Sequence, residues 1–133
     1  MAGSGYLRGL ELIRAGDYFE AHEELELAWR AAEPAERDFL QGLVHVAVAW
    51  YQAGRGNRNG CARQLEKATR RLGPYAPAHR GLDVEGLLAQ IAGAAARAEH
   101  GDLVLDRVQP NLLEHAVEGD LEPPVAAEEE QKP

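Results

Sequence analysis

The sequence has almost no cysteine and no long apolar run, and each absence excludes a class of protein. Cys61 is the one cysteine among 133 residues, so an internal disulfide is impossible and a reducing compartment is favoured. Nowhere do 18 apolar residues run together, and residues 1–16 lack the continuous apolar core of a signal peptide. We therefore expect a cytoplasmic protein without a membrane partner.

Basic charge is also scarce. The chain holds 14 Lys and Arg against 22 Asp and Glu, which gives a net charge of -8, and seven of the acids lie in residues 111–133. An acidic surface repels phosphate backbones, so we expect no nucleic-acid partner. The basic residues at 63, 67, 70 and 71 are predicted to form a solvated face of one helix.

No convincing run of alternating β-branched residues occurs, whereas apolar residues recur with helical period almost throughout. This pattern predicts an all-α fold, a compact helical bundle of about five helices with an irregular C-terminal extension. The predicted organisation is a bundle domain over 1–100, an irregular strap over 101–117 that packs on the bundle, and an acidic disordered tail over 118–133.

Several short polar residues predict where the helices begin and end. Gly16 is expected to end the first helix in a left-handed conformation. Asp17 then begins the second helix, with Glu20 completing a capping box. Asn57 and Asp83 are the predicted N-caps of the fourth and fifth helices.

The stretch YFEAHEELELAWR at 18–30 combines ionisable and apolar residues in one helical stripe. Phe19, His22, Glu26 and Trp29 follow steps of three, four and three, which is one face of a helix. Charged groups on a helix face that is expected to be buried must be paired, metal-bound or functional, because leaving them unsatisfied costs several kcal/mol. The sequence therefore predicts a polar pocket inside the bundle.

The spacing His-Glu-x-x-Glu resembles the metalloprotease pattern His-Glu-x-x-His with a carboxylate as second ligand. In this interpretation His22 and Glu26 bind a divalent metal such as zinc, manganese or iron, and Glu23 is the general base of a metal-dependent hydrolase. Gln41 and His45 on the third helix would face the same point. The predicted pocket residues are Glu20, His22, Glu23, Glu26, Trp29, Gln41 and His45.

Three alternatives stay open. The polar residues can form a structural hydrogen-bond network without any ion, or a metal-free pocket for a small polar ligand. The chain can also be a helical protein-interaction module or an obligate homo-oligomer such as a homodimer. Cys61 is expected to be a packed thiol, and His79, His100 and His115 are expected to be solvated.

Three blocks, YFEAHEELELAWR, RDFLQGLVHVAVAWYQAGRGNRNGCARQLEKATRRL and GLDVEGLL, resemble the domain of unknown function 309 family (DUF309) over about residues 9–90. The resemblance implies a compact helical bundle with a polar centre on helices two and three, and no established activity. The chain departs from the family on helix three, where it has His45 and Gln52 in place of Gln and then His. The matching positions are Glu20, His22, Glu23, Glu26, Trp29, Gln41, Gly42, Gly56 and Asn57.

Overall fold

The computed structural model describes residues 5–114, 116 and 121–126, and within these ranges the chain is almost entirely helical. The elements in chain order are α1 (Tyr6–Ala15), α2 (Tyr18–Ala31), α3 (Pro34–Gly54), α4 (Arg58–Leu72), a 3-10 turn (Gly73–Tyr75), β1 (Ala78–His79), β2 (Leu82–Asp83) and α5 (Val84–Glu99). The strands β1 and β2 form a two-residue antiparallel ladder. The all-α bundle of five helices is confirmed.

A glycine and short polar residues set most of the helix ends as predicted. Gly16 ends α1 with φ of 84°, a left-handed conformation that suits glycine. Asn57 Oδ1 accepts the Gly60 N–H at 2.9 Å, and Asp83 Oδ1 accepts the Gly86 N–H at 2.9 Å. Asp17 is the N-cap of α2, but its side chain accepts no capping hydrogen bond from the described residues, so the predicted capping box is wrong.

Consecutive helices pack on one another, and α3 is central, in contact with both α2 and α4. Its apolar residues cover most of its circumference, and Phe39, Leu40, Leu43 and Val46 are fully buried. Gly42 brings α4 close, because a Cβ at this position would lie 2.6 Å from Leu72 Cγ. This packing fixes which side chains of α3 can meet α2 and which can meet α4.

Beyond α5, residues 101–114 contain no helix and run along the bundle. Trp50 Nε1 donates to the Asp106 carbonyl at 2.9 Å, and the Gln109 N–H donates to Gln90 Oε1 at 2.7 Å. Val108 of this segment is buried in the hydrophobic core. The fold therefore carries the irregular C-terminal extension that the sequence predicted.

The predicted tail over 118–133 lies largely outside the described residues, since only 121–126 of it are described. Those six residues run beside the end of α2, where the Ala126 N–H donates to the Ala31 carbonyl at 2.7 Å and the Glu33 N–H donates to the Pro124 carbonyl at 3.0 Å. No helix among the described residues is both long and apolar enough to cross a lipid bilayer.

Candidate functional site

The stripe expected to be buried on α2 is not the buried face. Phe19 is 51% exposed, whereas Ala21 and Leu25 are fully buried. The physical reason is close packing: α1 crosses α2 at Gly9, where a Cβ would lie 2.5 Å from Leu25, so this face needs small residues and a well-placed leucine. The prediction that Phe19, His22 and Glu26 point into the core is therefore wrong.

His22 and Glu26 meet each other at the surface of α2. His22 Nε2 lies 3.5 Å from Glu26 Oε1, with the two side chains 28% and 36% exposed, and Arg30 lies 3.9 Å from the other Glu26 oxygen. Glu20 and Glu23 are exposed. The polar residues of α2 thus form a partly hydrated surface row instead of an enclosed pocket.

This row offers two of the donors that a metal site needs. Protein zinc, manganese and iron sites draw on at least three protein ligands. Within residues 5–114, 116 and 121–126, no group of three or more His, Cys, Asp or Glu side chains is placed to hold a metal ion. The described residues therefore contain no complete metal-ligand set for the predicted hydrolase, in which Glu23 is the general base.

Trp29 contacts other residues than His22 and Glu26 do. Its ring is half-buried and carries the Arg37 guanidinium 5.8 Å from its centre. Arg37 follows the turn between α2 and α3, so the ring covers that corner of the bundle. Trp29 therefore has a packing role in the described structure.

The α3 residues of the predicted pocket face α4 instead of α2. His45 Nδ1 lies 2.7 Å from Gln64 Oε1, and Arg71 Nη1 donates to Asp38 at 2.6 Å. Gln41 lies one turn before His45 on the same edge of α3. The structure therefore separates Gln41 and His45 from His22 and Glu26, and the predicted single site divides into two surfaces.

The environment of His45 disfavours a charged imidazole. Burial lowers its pKa, the Gln64 hydrogen bond acts in the opposite direction, and the nearby cations Lys67, Arg71 and Arg70 lower the pKa further. The net result is a pKa below the ordinary value for histidine. Burial and the surrounding cations therefore favour the neutral form of the His45 imidazole.

An aromatic groove opens where α2 begins and α3 ends. It is lined by Gly16, Asp17, Tyr18, Phe19, Glu20, Trp50, Tyr51, Gly54 and Arg55 and encloses about 450 Å³. The Phe19 ring lies 5.6 Å from the Tyr51 ring and 5.8 Å from the His22 ring, centre to centre. Phe19 and His22 thus join the exposed stripe of α2 to this groove.

The groove combines rings with charges of both signs. The carboxylates of Asp17 and Glu20 are exposed at its edge. The Arg55 guanidinium lies 5.7 Å from the centre of the Tyr51 ring, within the range of a cation–π contact. The rings of the groove therefore already accept a cationic side chain of the chain itself.

A buried charged cluster lies elsewhere, where sequence reasoning placed no site. Glu36, near the start of α3, is 5% exposed, and its carboxylate lies 2.8 Å from His79 Nε2 and accepts a 2.9 Å bond from Arg80 Nη2. The His79 ring packs edge-on against Phe39 at 4.6 Å. The expectation that His79 is solvated is wrong, because Glu36 and Phe39 hold it against the bundle.

The sequence gives little signal for this cluster, because Glu36 and its two partners are 43 and 44 residues apart. Burial acts to raise the pKa of Glu36, but the hydrogen bonds and charges of Arg80 and His79 outweigh it, and the pKa is lowered. The cluster therefore joins the 78–83 turn to α3.

Comparison with known proteins shows similarity to a family of unknown function. Residues 6–64 match the family described as "Domain of unknown function (DUF309)". The "Uncharacterized protein YpuF" of Bacillus subtilis (strain 168) is 34% identical over 79 residues, which are 59% of this chain and 44% of that protein. The alignment thus spans less than half the length of this relative, and no solved structure matches the chain. Residues 6–64 of the chain are similar to the DUF309 family, in agreement with the resemblance seen in the sequence.

Proposed function

We propose that the chain is a helical protein-interaction module that binds a basic segment of a partner protein in the aromatic groove. The observation that carries the proposal is Phe19, which is 51% exposed although its ring contacts Tyr51 and His22. A large ring that stays exposed to water loses the stabilisation of roughly 25 cal/mol per Å² that burial of its apolar surface would contribute. Rings held in this way at a surface are typical of binding hot spots.

Charge favours a basic occupant. The chain has a net charge of -8, and the Asp17 and Glu20 carboxylates line the groove. Lys and Arg side chains are attracted both to carboxylates and to the faces of aromatic rings. Arg55, which lies over Tyr51, shows the ring contact that a partner's arginine would make.

The shape of the groove favours a chain segment over a small molecule. Pockets for small molecules bury most of the ligand surface. The aromatic groove is open to solvent, and its lining comes from the start of α2 and the end of α3. An extended segment can lie in such a groove and place alternate side chains on the rings.

A capture experiment tests the proposal. The immobilised chain is incubated with a pool of hexapeptides in which Lys or Arg alternates with randomised residues, and with a matched pool that carries Asp or Glu. We expect selective capture of the basic pool, and about tenfold weaker binding of the enriched peptides to Phe19→Ala, because truncation of an aromatic hot spot costs 1 to 2 kcal/mol. To detect a dimer, sedimentation of the parent chain and of Phe19→Ala is measured at the same concentrations.

Leu27→Ala is the matched control, since Leu27 is 57% exposed on the same helix but lines a different groove. Its peptide affinity should equal that of the parent chain. Equal capture of both pools, or equal weakening by the two substitutions, contradicts the proposal. A concentration-dependent dimer that Phe19→Ala abolishes, without peptide capture, would identify a second copy of the chain as the occupant instead.

A further inference from the structure

Polar side chains line the rim between α3 and α4, on the side of α3 that faces away from α2. Gln41 and His45 are four residues apart on α3, and Lys67 and Arg71 are four apart on α4, so each pair occupies one face of its helix. The bond between His45 and Gln64 joins the two helices at this rim. We call Gln41, His45, Lys67 and Arg71 the cationic rim.

We propose that the cationic rim binds an oxyanion, namely a phosphate group that is free or esterified to a small molecule. The available donors are the Gln41 amide, the Lys67 ammonium, the Arg71 guanidinium and the Nε2 atom of a protonated His45. The basic residues of α4 were predicted to be a solvated face. His45, which is half-buried between them, turns part of that face into a site.

One buried donor of the rim lacks a partner. The Nε atom of Arg71 is buried and forms no hydrogen bond with the described residues, whereas its Nη1 atom is bonded to Asp38. A buried N–H without an acceptor costs about 1 to 3 kcal/mol, and more when it is charged. An oxygen of a bound anion would satisfy this donor.

The charges around His45 have an excess of positive sign. Those that act on it come from Lys67, Arg70 and Arg71 of α4, and among the described residues Asp38 pairs with this group through Arg71. Gln64 Oε1 can only accept, so the His45 Nδ1 carries a hydrogen and Nε2 is the nitrogen that can gain a proton. Burial together with these cations lowers the pKa of His45. A bound anion would offset the cations and favour the imidazolium.

Binding and protonation are therefore linked. An anion that prefers the protonated form of His45 raises its pKa, and by reciprocity the chain binds the anion more tightly as the pH falls. This site goes beyond the interaction function proposed for the aromatic groove. It lies between α3 and α4, so either proposal can fail without the other.

The test is an NMR titration of the His45 ring proton between pH 4.5 and 8.5, in saturating sodium sulfate and in sodium chloride of equal ionic strength. Sulfate is the probe because it stays a dianion over this range. We expect the titration midpoint of His45 to rise by about one pH unit in sulfate, which corresponds to about tenfold tighter binding to the protonated form.

Two variants separate a built site from general charge screening. Lys67→Met should reduce the sulfate affinity at least fivefold and abolish most of the His45 response. Arg8→Gln, which removes one exposed positive charge on α1, should leave both unchanged. A His45 midpoint that is the same in the two salts, or a response that survives in Lys67→Met, overturns the proposal.

Titration with inorganic phosphate and with methyl phosphate distinguishes the two sources of the group. Equal affinity identifies the free anion as sufficient, and tighter binding of the ester identifies an esterified phosphate. Both results support the site, whereas affinities no higher than that of chloride for both phosphates overturn it.

Discussion

Glu36 is the most deeply buried charged side chain among the described residues, and it joins the start of α3 to the turn between β1 and β2. Its carboxylate contacts His79 and Arg80, while Tyr6 Oη donates to the Arg80 carbonyl at 3.0 Å. Arg80 itself has φ of 48°, a left-handed conformation that a bulky residue adopts only when its surroundings hold it there. We infer that the carboxylate of Glu36 orders this turn.

Replacing Glu36 with Gln should lower the free energy of unfolding by about 2 kcal/mol at pH 7, because the change removes a buried carboxylate that pairs with the Arg80 guanidinium. Urea unfolding followed by circular dichroism measures the loss. Glu11→Gln is the control, since Glu11 forms an exposed pair with Arg8, and its effect should stay within about 0.5 kcal/mol. Equal effects of the two substitutions would contradict the role of Glu36.

The stability from Glu36 should depend on pH in the acid range. Its folded pKa is lowered below the ordinary value of 4.5, so the unfolded chain takes up a proton first as the pH falls. The contribution is therefore complete above about pH 4.5 and is lost as the pH falls through the lower folded pKa. Urea midpoints of the parent chain and Glu36→Gln should converge below pH 4.5, and a constant difference down to pH 3 would contradict this assignment.

At the scale of single residues, the sequence predicted contacts within one helix better than contacts between distant segments. Cys61 was expected to be a packed thiol, and it is fully buried, which raises its pKa. His22 and Glu26 were correctly predicted to meet, because spacing within one helix settles that contact. Glu36 and His79 were missed because their contact depends on how a distant turn folds back, which no local spacing encodes.

At the scale of elements, α3 and α4 make a close helix contact at Gly42. A Cβ there would lie 2.6 Å from Leu72 Cγ and 3.3 Å from Arg71 Cβ. Leu72 is fully buried, so it has no free space into which to move. The glycine therefore sets the distance between the two helices.

Gly42→Ala should reduce the free energy of unfolding by about 1 to 3 kcal/mol, because the added methyl group forces the helices apart. Gly93→Ala in α5 is the matched control, since a Cβ at Gly93 meets nothing within 4 Å. The control should increase stability by about 0.5 to 1 kcal/mol through the higher helix propensity of alanine. Thermal unfolding of both variants checks the opposite signs, and a stabilised Gly42→Ala protein would refute the close contact.

The helices themselves were predictable from sequence, but their buried faces were not always. Gly16, Asn57 and Asp83 begin or end helices by local backbone chemistry, so the prediction succeeded at each of them. The sequence predicts the wrong buried face of α2, because a large ring such as that of Phe19 is usually a core residue. The actual core face carries Ala21 and Leu25, whose small or compact side chains allow α1 and α3 to approach.

At the scale of the whole molecule, the segment over 101–114 ties the ends of several helices together. Trp50 of α3 donates through Nε1 to the Asp106 carbonyl. Gln90 of α5 forms hydrogen bonds with the backbone N–H and carbonyl of Gln109. Trp50 also lines the aromatic groove. The segment therefore contacts a residue that lines the groove.

Trp50→Phe removes the donor and keeps most of the apolar surface. We expect a loss of about 1 kcal/mol in the docking of the segment, which corresponds to about fivefold faster hydrogen exchange of the Gln109 amide. Exchange of amides in the middle of α4 serves as the internal reference. An unchanged Gln109 rate would show that the segment is held without the indole bond.

The most direct test of the account is a chemical-shift map of the ¹⁵N-labelled chain with the basic hexapeptide pool. The aromatic groove as a binding surface predicts that perturbed amides concentrate at residues 16–20 and 50–55, and that Phe19→Ala abolishes most of the perturbation. Perturbations centred on the groove around Leu27, or shifts absent from residues 16–20 and 50–55 while the pool binds, would contradict it.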